Sequence, residues 1–395
     1  MNNRLSLRAS LLILGALTTA GLRAEAPPDR VGTEVSRIEL MTQNLYVGAD
    51  IFRVFGGSQC GPLQAVGEIF ETVQETDFTA RAEAIADLVL HNKPHVIGLQ
   101  EVALIRRQSP SDGAIVPNPD GSFTFLPNAQ DVVYDYLQIL LEALAARGLD
   151  YVVVVGATAV NADVEFPMAS FDEDCNLTSV PTDLRLTDRD VMLVRSGLET
   201  ANATSANFAA TLPVQFPIGP GQILSFEFIR GFGMTDVTVG KRTFRVANTH
   251  LEVGDADDPA NPVNAVQFFQ TLELIGSVSD TALPLAVLGD FNSSPSPLDP
   301  RPAYATMVGA GFLDLWTVRQ GPPNPGYTCC QDETLSDAES MLDQRIDLVF
   351  SRLPADTELL PIRSAVVGDR PNEKTASGLW PSDHAGVATT LKFRR

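Results

Sequence analysis

Oxygen-bearing side chains follow short apolar runs at several widely separated points of the chain. They occur in the segments MTQN, VIGLQE, VLGDFN and PSD and comprise Asn44, Glu101, Asp290, Asn292 and Asp383. Carboxylate and amide oxygens are the ligands that hard divalent cations prefer. This set predicts a site for Mg²⁺, with Mn²⁺ or Ca²⁺ as alternatives, where a metal ion would offset the charge of a phosphate ester.

Two histidines follow apolar runs in the same way. His250 ends the run VANTH, and His384 lies directly after Asp383 in PSDH. Imidazole groups accept and donate protons near neutral pH. Asp347, in QRIDLVF, is a candidate for holding one of these rings in a single tautomer, as the third member of a catalytic triad does. Carboxylates, amides and imidazoles together indicate metal-assisted hydrolysis of a phosphate ester.

A rigid sheet holds such groups best in the loops at its strand ends. Apolar periodicity predicts helices over residues 78–91, 131–147 and 262–278. Short apolar runs predict strands over residues 95–100, 151–155, 191–195, 243–250, 285–289, 346–350, 362–367 and 386–393. Three polar stretches, 106–130, 157–189 and 198–221, are predicted to be long loops. Many strands with few helices between them indicate packed sheets with helices outside.

The order of the segments LQE, NTHL, GDFN, RIDLVF and SDH resembles the endonuclease/exonuclease/phosphatase superfamily. Its members include DNase I-like nucleases, abasic-site endonucleases, Mg²⁺-dependent sphingomyelinases and inositol polyphosphate 5-phosphatases. The resemblance extends from Asn44 to His384. It implies a four-layered α/β sandwich, in which two packed mixed β-sheets are flanked by helices, as a single domain over residues 33–395.

The resemblance implies metal-side roles for three residues. Glu101 resembles the principal Mg²⁺ ligand of the family. Asn44 resembles the asparagine of the first strand that supports the metal and phosphate region, and Asp383 resembles a further metal-side carboxylate.

The resemblance also implies the catalytic roles. Asp290 and Asn292 resemble the pair that orients the attacking water and contacts the phosphate. His250 resembles the imidazole that stabilises the scissile phosphate or protonates the leaving oxygen. His384 resembles the histidine that acts as base or phosphate clamp, with Asp347 as its orienting partner. Either Asp290 or His384 takes the proton of the attacking water.

Three further residues carry two readings each. Asn248 lies in phase with His250 and either joins the site or caps the strand end. For Asp190 a surface turn is favoured over a place in the site. Arg345 either contacts the substrate phosphate or has a surface role.

Composition and charge exclude several classes of protein. The 395 residues include 44% hydrophobic and 19% charged residues, enough apolar surface for a large core and therefore not a disordered chain. With 28 Lys and Arg against 49 Asp and Glu, the net charge is −21. Such a chain lacks the broad basic surface that stable nucleic-acid binding needs. We expect a monomer.

The N-terminus has the pattern of a signal peptide. Arg4 and Arg8 precede an apolar stretch over residues 9–22, and small residues follow. We expect cleavage after Ala24, with Ala26 as the alternative site, so that residues 1–24 direct export to the periplasm or the medium. An uncleaved N-terminal anchor is the alternative. No later run is long enough to span a membrane.

Export would place the four cysteines in an oxidising compartment. They are Cys60, Cys175, Cys329 and Cys330, and they allow three disulfide connectivities. We expect Cys60 and Cys175 each to bridge to one of the adjacent pair. A zinc site is the alternative, although the chain has no CxxC motif or histidine-rich partner for it.

The substrate class stays open at this stage. A nuclease would have basic residues at the site rim, whereas the long loops carry more acids than bases. A sphingomyelinase would have exposed aromatic residues for membrane contact. The only tryptophans of the chain are Trp316 and Trp380, and we expect no pair of aromatic side chains on the surface. A phosphatase for a small polyanion would have several Lys or Arg. A secreted binding or toxin-like module that keeps the fold without the chemistry is the alternative from another class.

Overall fold

The computed structural model describes residues 35–219, 221–319, 325–360 and 362–394, so the expected signal peptide lies outside the described residues. In the first half of the chain the strands are β1 (Val35–Asn44), β2 (Val96–Gln100), β3 (Leu104–Gln108), β4 (Ile115–Pro117), β5 (Phe123–Phe125), β6 (Asp131–Asp135), β7 (Tyr151–Val153), β8 (Ala159–Met168) and β9 (Thr182–Arg195). In the second half they are β10 (Glu199–Asn207), β11 (Leu212–Gly219), β12 (Gln222–Phe228), β13 (Gly231–Val239), β14 (Arg242–His250), β15 (Leu285–Asp290), β16 (Leu313–Asp314), β17 (Asp347–Arg352), β18 (Glu358–Leu359), β19 (Arg363–Val367) and β20 (Gly386–Arg394).

The helices lie between these strands. They are α1 (Arg53–Gly56), α2 (Pro62–Glu75), α3 (Phe78–Asn92), α4 (Tyr136–Ala146), α5 (Pro262–Val278), α6 (Ala303–Gly309) and α7 (Leu315–Val318). Asp77 caps α3 by accepting a hydrogen bond from the Ala80 amide, and Asn261 caps α5 through the Val263 amide. Among the described helices none is long and apolar enough to cross a membrane.

Two mixed sheets form the centre of the molecule. The larger has the order β18-β20-β1-β2-β9-β3-β6, with β19 beside β20 and with β7 and β8 beside β9. The second has the order β10-β13-β14-β15-β17-β16. The pairs β1–β2 and β14–β15 are parallel, while the other neighbours along these two orders are antiparallel. A small sheet, β11-β12-β5-β4, lies apart from both.

Three apolar clusters separate four layers. One cluster, with Leu40 and Met192 from the larger sheet and Val246 and Leu288 from the second, lies between the sheets. A second cluster packs helices α2, α3 and α4 against the larger sheet. The third packs α5 and α6 against the second sheet. The predicted four-layered α/β sandwich is therefore confirmed.

The sheets approach closely at Gly98 of β2. A side chain there would clash with Leu288 and Asn248 of the second sheet. Asn248 is fully buried, accepts a hydrogen bond from Gln100 at 2.6 Å, and donates to the Leu99 carbonyl at 3.0 Å. Asn248 therefore has a structural role, because its side-chain amide connects the two sheets.

Several predicted elements are confirmed and others are wrong. The helices over residues 78–91 and 262–278 form as expected. The predicted helix over residues 131–147 is a strand followed by a helix, because β6 pairs with β3 and Asp135 caps α4 at the Leu137 amide. The three predicted long loops contain β3 to β5, much of β8 and β9, and β10 and β11. Strand β10 is exposed along most of its length, so it lacks the alternation that marks a half-buried strand.

The disulfide expectation is wrong. Cys60 and Cys175 pair with each other, with Cα atoms 5.3 Å apart, and Cys329 pairs with its neighbour Cys330. The first bridge ties the loop before α2 to the loop before β9. The sulfurs of Cys329 and Cys330 also lie with a ring nitrogen of His384 in one group whose potential ligand atoms are all within 4.8 Å of one another.

Candidate active site

Strand pairing brings the predicted residues to one end of both sheets. Asn44 pairs with Gln100 at the end of β1 and β2, which places Glu101 beside it. In the second sheet His250 pairs with Asp290, and Asp290 pairs with Asp347. Residues far apart in the sequence therefore become neighbours, because the parallel strands end together and the antiparallel strand β17 begins at the same edge.

Asn44 positions two carboxylates. Its Nδ2 donates to Glu101 Oε1 at 2.9 Å and to Asp290 Oδ2 at 3.2 Å. Its Oδ1 accepts from the Tyr46 amide at 2.9 Å, which fixes the orientation of the side-chain amide. In this geometry Asn44 holds the carboxylates, and its own oxygen is already engaged by backbone. Glu101 Oε2 accepts a further hydrogen bond from the Val47 amide at 2.8 Å.

The backbone is strained at two site residues. Glu101 has φ +54° and Asn292 has φ +48°. The left-handed region is tolerated by asparagine but is costly for glutamate. Asn292 is held there by donating its backbone N–H to Asp290 Oδ1 and its side-chain amide to the Leu251 carbonyl. The surrounding contacts thus fix both side chains at the cavity.

His384 and Asp347 form a buried pair. Nδ1 of His384 lies 2.8 Å from Asp347 Oδ2, so the N–H donates to the carboxylate and Nε2 carries the chemistry. Burial opposes a charge on this ring, but Asp347, Asp383 and Asp290 outweigh that effect and raise the pKa of His384 well above its ordinary value. Of the two family roles, the protonated ring suits a phosphate clamp better than a base.

His250 is held by an arginine that the sequence analysis did not single out. Arg230 Nη1 lies 3.0 Å from His250 Nδ1. Because guanidinium only donates, Nδ1 must accept, and the proton of the ring lies on Nε2, 3.5 Å from Asp290 Oδ2. Burial, the Arg230 charge and the His384 charge lower the pKa of His250 well below its ordinary value. His250 is thus a neutral donor aimed at the site.

Arg230 also neutralises acids behind the site. It lies 3.7 Å from both Asp188 and Glu252, and all three are buried. Asp190 neighbours Asp188 inside β9 and accepts from Asn161 at 2.9 Å. The favoured surface turn at Asp190 is therefore wrong. The predicted loop ended at residue 189 and the predicted strand began at residue 191, whereas β9 extends from Thr182 to Arg195 and includes Asp190.

The donor set fits a hard divalent cation. Burial and repulsion from Asp347 raise the pKa of Asp290 to about 7. Burial, with repulsion from Glu101, likewise raises the pKa of Asp383 to about 6 despite the opposing His384 charge. Clustered buried carboxylates of this kind are stabilised by a cation, and their oxygens are the donors that Mg²⁺ prefers. Glu101 and Asp383 line the cavity, whereas Asn44 holds Glu101 and Asp290 from behind.

A buried arginine fixes the loops that carry these ligands. Arg81 of α3 is fully buried and donates to the backbone carbonyls of Leu45, Tyr46 and Pro381. These carbonyls follow Asn44 and precede Asp383 in the sequence. Nothing in a helical periodicity distinguishes Arg81 from a surface arginine, so the sequence carries no signal for this anchor. Arg345, in contrast, forms a buried ion pair with Asp314 at 2.7 Å and does not line the cavity, so it has neither the surface role nor the phosphate contact that the sequence left open.

The cavity that these residues line has a volume of about 470 Å³. Six of the predicted residues line it, namely Glu101, His250, Asp290, Asn292, Asp383 and His384. Asn44 and Asp347 lie behind them and act through Glu101 and His384. The expectation of no surface aromatic pair is wrong, because Phe52 and Phe55 are 41% and 39% exposed with ring centroids 6.3 Å apart. Trp380 is buried.

A sandwich of two mixed sheets with acids and imidazoles at one end is a phosphoesterase-type fold. The sequence model of the Endonuclease/Exonuclease/phosphatase family matches residues 41–384 of this chain. The chain belongs to that family.

Solved structures of similar proteins are distant from this chain in sequence. An endonuclease/exonuclease/phosphatase from Beutenbergia cavernae DSM 12333 is 19% identical, with a TM-score of 0.47 over 91% of this chain and 71% of that one. TDP2 from C. elegans is 14% identical, with a TM-score of 0.45 over 90% of this chain and 75% of that one. A family protein from Bacteroides thetaiotaomicron is 14% identical, with a TM-score of 0.47 over 91% and 98%. A comparison with curated protein sequences finds no match.

Proposed function

We propose that this chain is an exported, Mg²⁺-dependent phosphodiesterase. The observation that carries the proposal is the convergence of Glu101, Asp290, Asn292 and Asp383 with both histidines on one cavity. Family membership supports ester hydrolysis at phosphorus in general. The choice of a diester is supported by the acids that line the cavity, such as Asp50 and Glu333, which repel the two negative charges of a monoester more than the single charge of a diester.

The residues divide the work of hydrolysis among them. Mg²⁺, when bound near Glu101 and Asp383, would offset charge on the non-bridging oxygens of the phosphate. Asp290 and Asn292 would orient the attacking water, and Asp290 would accept its proton, because His384 is already protonated. His250 donates its Nε2 proton towards the phosphate region, and protonated His384 binds a phosphate oxygen. Asp347 keeps His384 oriented and charged.

The test is hydrolysis of bis-p-nitrophenyl phosphate and p-nitrophenyl phosphate, each with Mg²⁺ and with EDTA. We expect Mg²⁺-dependent cleavage of the diester that is lost in His384→Ala. The matched control is His91→Ala, since His91 is an exposed histidine at the end of α3. Cleavage of the monoester alone would replace the diesterase by a phosphatase. Activity that survives in His384→Ala would refute the site assignment.

Export is part of the proposal and has its own test. The motif over residues 1–24 supports it, together with the Cys60–Cys175 disulfide, since disulfides persist in oxidising compartments. Expression of the full chain in a bacterium with a secretion pathway should yield a protein that begins at Glu25, as measured by intact mass. A full-length mass in the membrane fraction would instead indicate the uncleaved anchor.

A further inference from the structure

An apolar groove continues from the catalytic cavity along the molecule. Ile51, Val164, Leu186 and Phe228 line both the cavity and the groove. The two spaces therefore adjoin each other and share these four apolar lining residues.

Every residue that lines the groove is apolar. Its aromatic side chains form a connected series from the cavity outwards. Phe52 lies 5.4 Å from Phe228 between ring centroids, Phe228 lies 5.5 Å from Phe226, and Phe226 lies 5.9 Å from Phe55. Phe52 and Phe55 remain partly exposed at the rim. Apolar surface left open beside a catalytic cavity is typical of a ligand-binding groove.

The volume of the groove limits what it can enclose. Its volume is about 80 Å³. An apolar cavity of about 150 Å³ holds a benzene ring. The groove is therefore too small to enclose a nucleobase, and it would hold only a short length of an unbranched hydrocarbon chain.

The charges around the cavity agree with that occupant. Among the described residues that line the cavity, Arg230 is the one lysine or arginine, while the acids include Asp50, Glu101 and Glu333. A nucleic acid would bring several phosphates to a cavity whose single basic lining residue, Arg230, already lies beside Asp188 and Glu252. A substrate with one phosphate and an uncharged apolar substituent avoids that repulsion.

We propose that the groove binds the hydrocarbon chain of a lipid-type phosphodiester, which places this chain among enzymes that act on phospholipid-like substrates. This inference rests on the proposed function, because it assigns the substituent of the phosphate that the active site would cleave. The phosphate lies at the histidines, and its chain runs past Phe228 towards Phe226 and Phe166.

The experiment compares methyl, butyl and octyl p-nitrophenyl phosphates, all below micellar concentrations and with one common leaving group. A buried methylene should raise kcat/KM by up to about fourfold. We expect the octyl ester to exceed the methyl ester by at least about 30-fold. Phe226→Ser and Phe55→Ser should flatten this dependence, so that the octyl ester exceeds the methyl ester by much less than in the wild type. Phe269→Ser is the matched control, because Phe269 is an exposed phenylalanine of α5 outside the groove.

The outcomes separate this inference from the proposed function. Equal kcat/KM for all three esters, in a protein that cleaves the methyl ester, would overturn the hydrocarbon groove and leave the phosphodiesterase intact. If none of the esters is cleaved with Mg²⁺, the proposed function fails. Calorimetric titration with octyl methylphosphonate then tests whether the groove binds a hydrocarbon chain. Saturable binding that weakens in Phe226→Ser supports it, and absence of binding overturns it.

Discussion

Replacement of Arg230 by lysine tests how His250 is held. The guanidinium donates to His250 Nδ1 at 3.0 Å and lies 3.7 Å from both Asp188 and Glu252. A lysine keeps the positive charge between the two acids, so the buried carboxylates keep a counter-ion. Its single ammonium group cannot reproduce the planar fork that reaches all three partners. In Arg230→Lys the imidazole should therefore lose its fixed tautomer while the fold persists.

The size of the effect follows from the lost contact. A hydrogen bond that involves a charged group contributes about 1.5–3 kcal/mol. Since about 1.4 kcal/mol corresponds to a factor of ten in rate, kcat should fall between about tenfold and about 150-fold. KM should change by less than about threefold, because Arg230 acts through His250 and the loss falls on the transition state. Complete removal of the charge in Arg230→Met would also destabilise the fold, by about 3–5 kcal/mol.

The assay is the steady-state hydrolysis of bis-p-nitrophenyl phosphate, together with ¹⁵N NMR of the His250 ring. The spectrum should show one tautomer in the wild type and a mixture in Arg230→Lys. Arg245→Lys is the matched control, because Arg245 contacts Asp236 at 2.8 Å outside the site. An unchanged kcat in Arg230→Lys, or a single tautomer in its spectrum, would refute the role given to Arg230.

Four further outcomes are expected. Asp347→Asn should lower kcat by a factor on the order of 10²–10⁴, because His384 loses its charged partner. Asp236 is a buried aspartate outside the site, so Asp236→Asn should leave kcat unchanged, and equal losses in the two variants would contradict the pairing of His384 with Asp347. The pKa of His250 is lowered in the fold, so below about pH 6.5 the unfolded chain binds a proton that the folded chain does not. Acidification in that range should therefore lower the free energy of unfolding by up to about 1.4 kcal/mol per pH unit. In urea titrations His250→Asn should show a weaker pH dependence than the wild type. Joint replacement of Cys60 and Cys175 by serine should cost about 3–5 kcal/mol in the same titrations, since the bridge closes a loop over a separation of 115 residues. EDTA should abolish diester cleavage and excess Mg²⁺ should restore it, and activity that persists in EDTA would exclude the metal role of Glu101.

The buried apolar runs of the sequence were sufficient to predict the central strands. Runs such as VIGLQ and LAVLGD are too apolar for a surface position and too short for a buried helix, so their local composition indicates strands. Strand β10 and the first part of β9 could not be predicted in this way. Their residues are polar, and their pairing partners in β13 and β8 stabilise them instead.

The same division holds for the active site. Glu101, Asp290 and His384 were visible because their types and their places after apolar runs carry the chemistry. Arg230 and Arg81 could not be identified in this way, because most arginines are surface charges and only the fold shows that these two are buried. The apolar groove was also invisible, since Phe55 on α1 and Phe226 on β12 meet only when the small sheet packs beside that helix.

The sequence by itself determined the fold class, and it predicted which acids and imidazoles meet at one site and that they would suit a hard cation, because periodicity and ligand chemistry are properties of local residue types. Only the tertiary structure decided the tautomer of His250, the charge on His384, the disulfide pairing and the apolar path beside the phosphate site. Each of these depends on distances and burial between segments that are remote in the chain, and pairing between strands sets those distances.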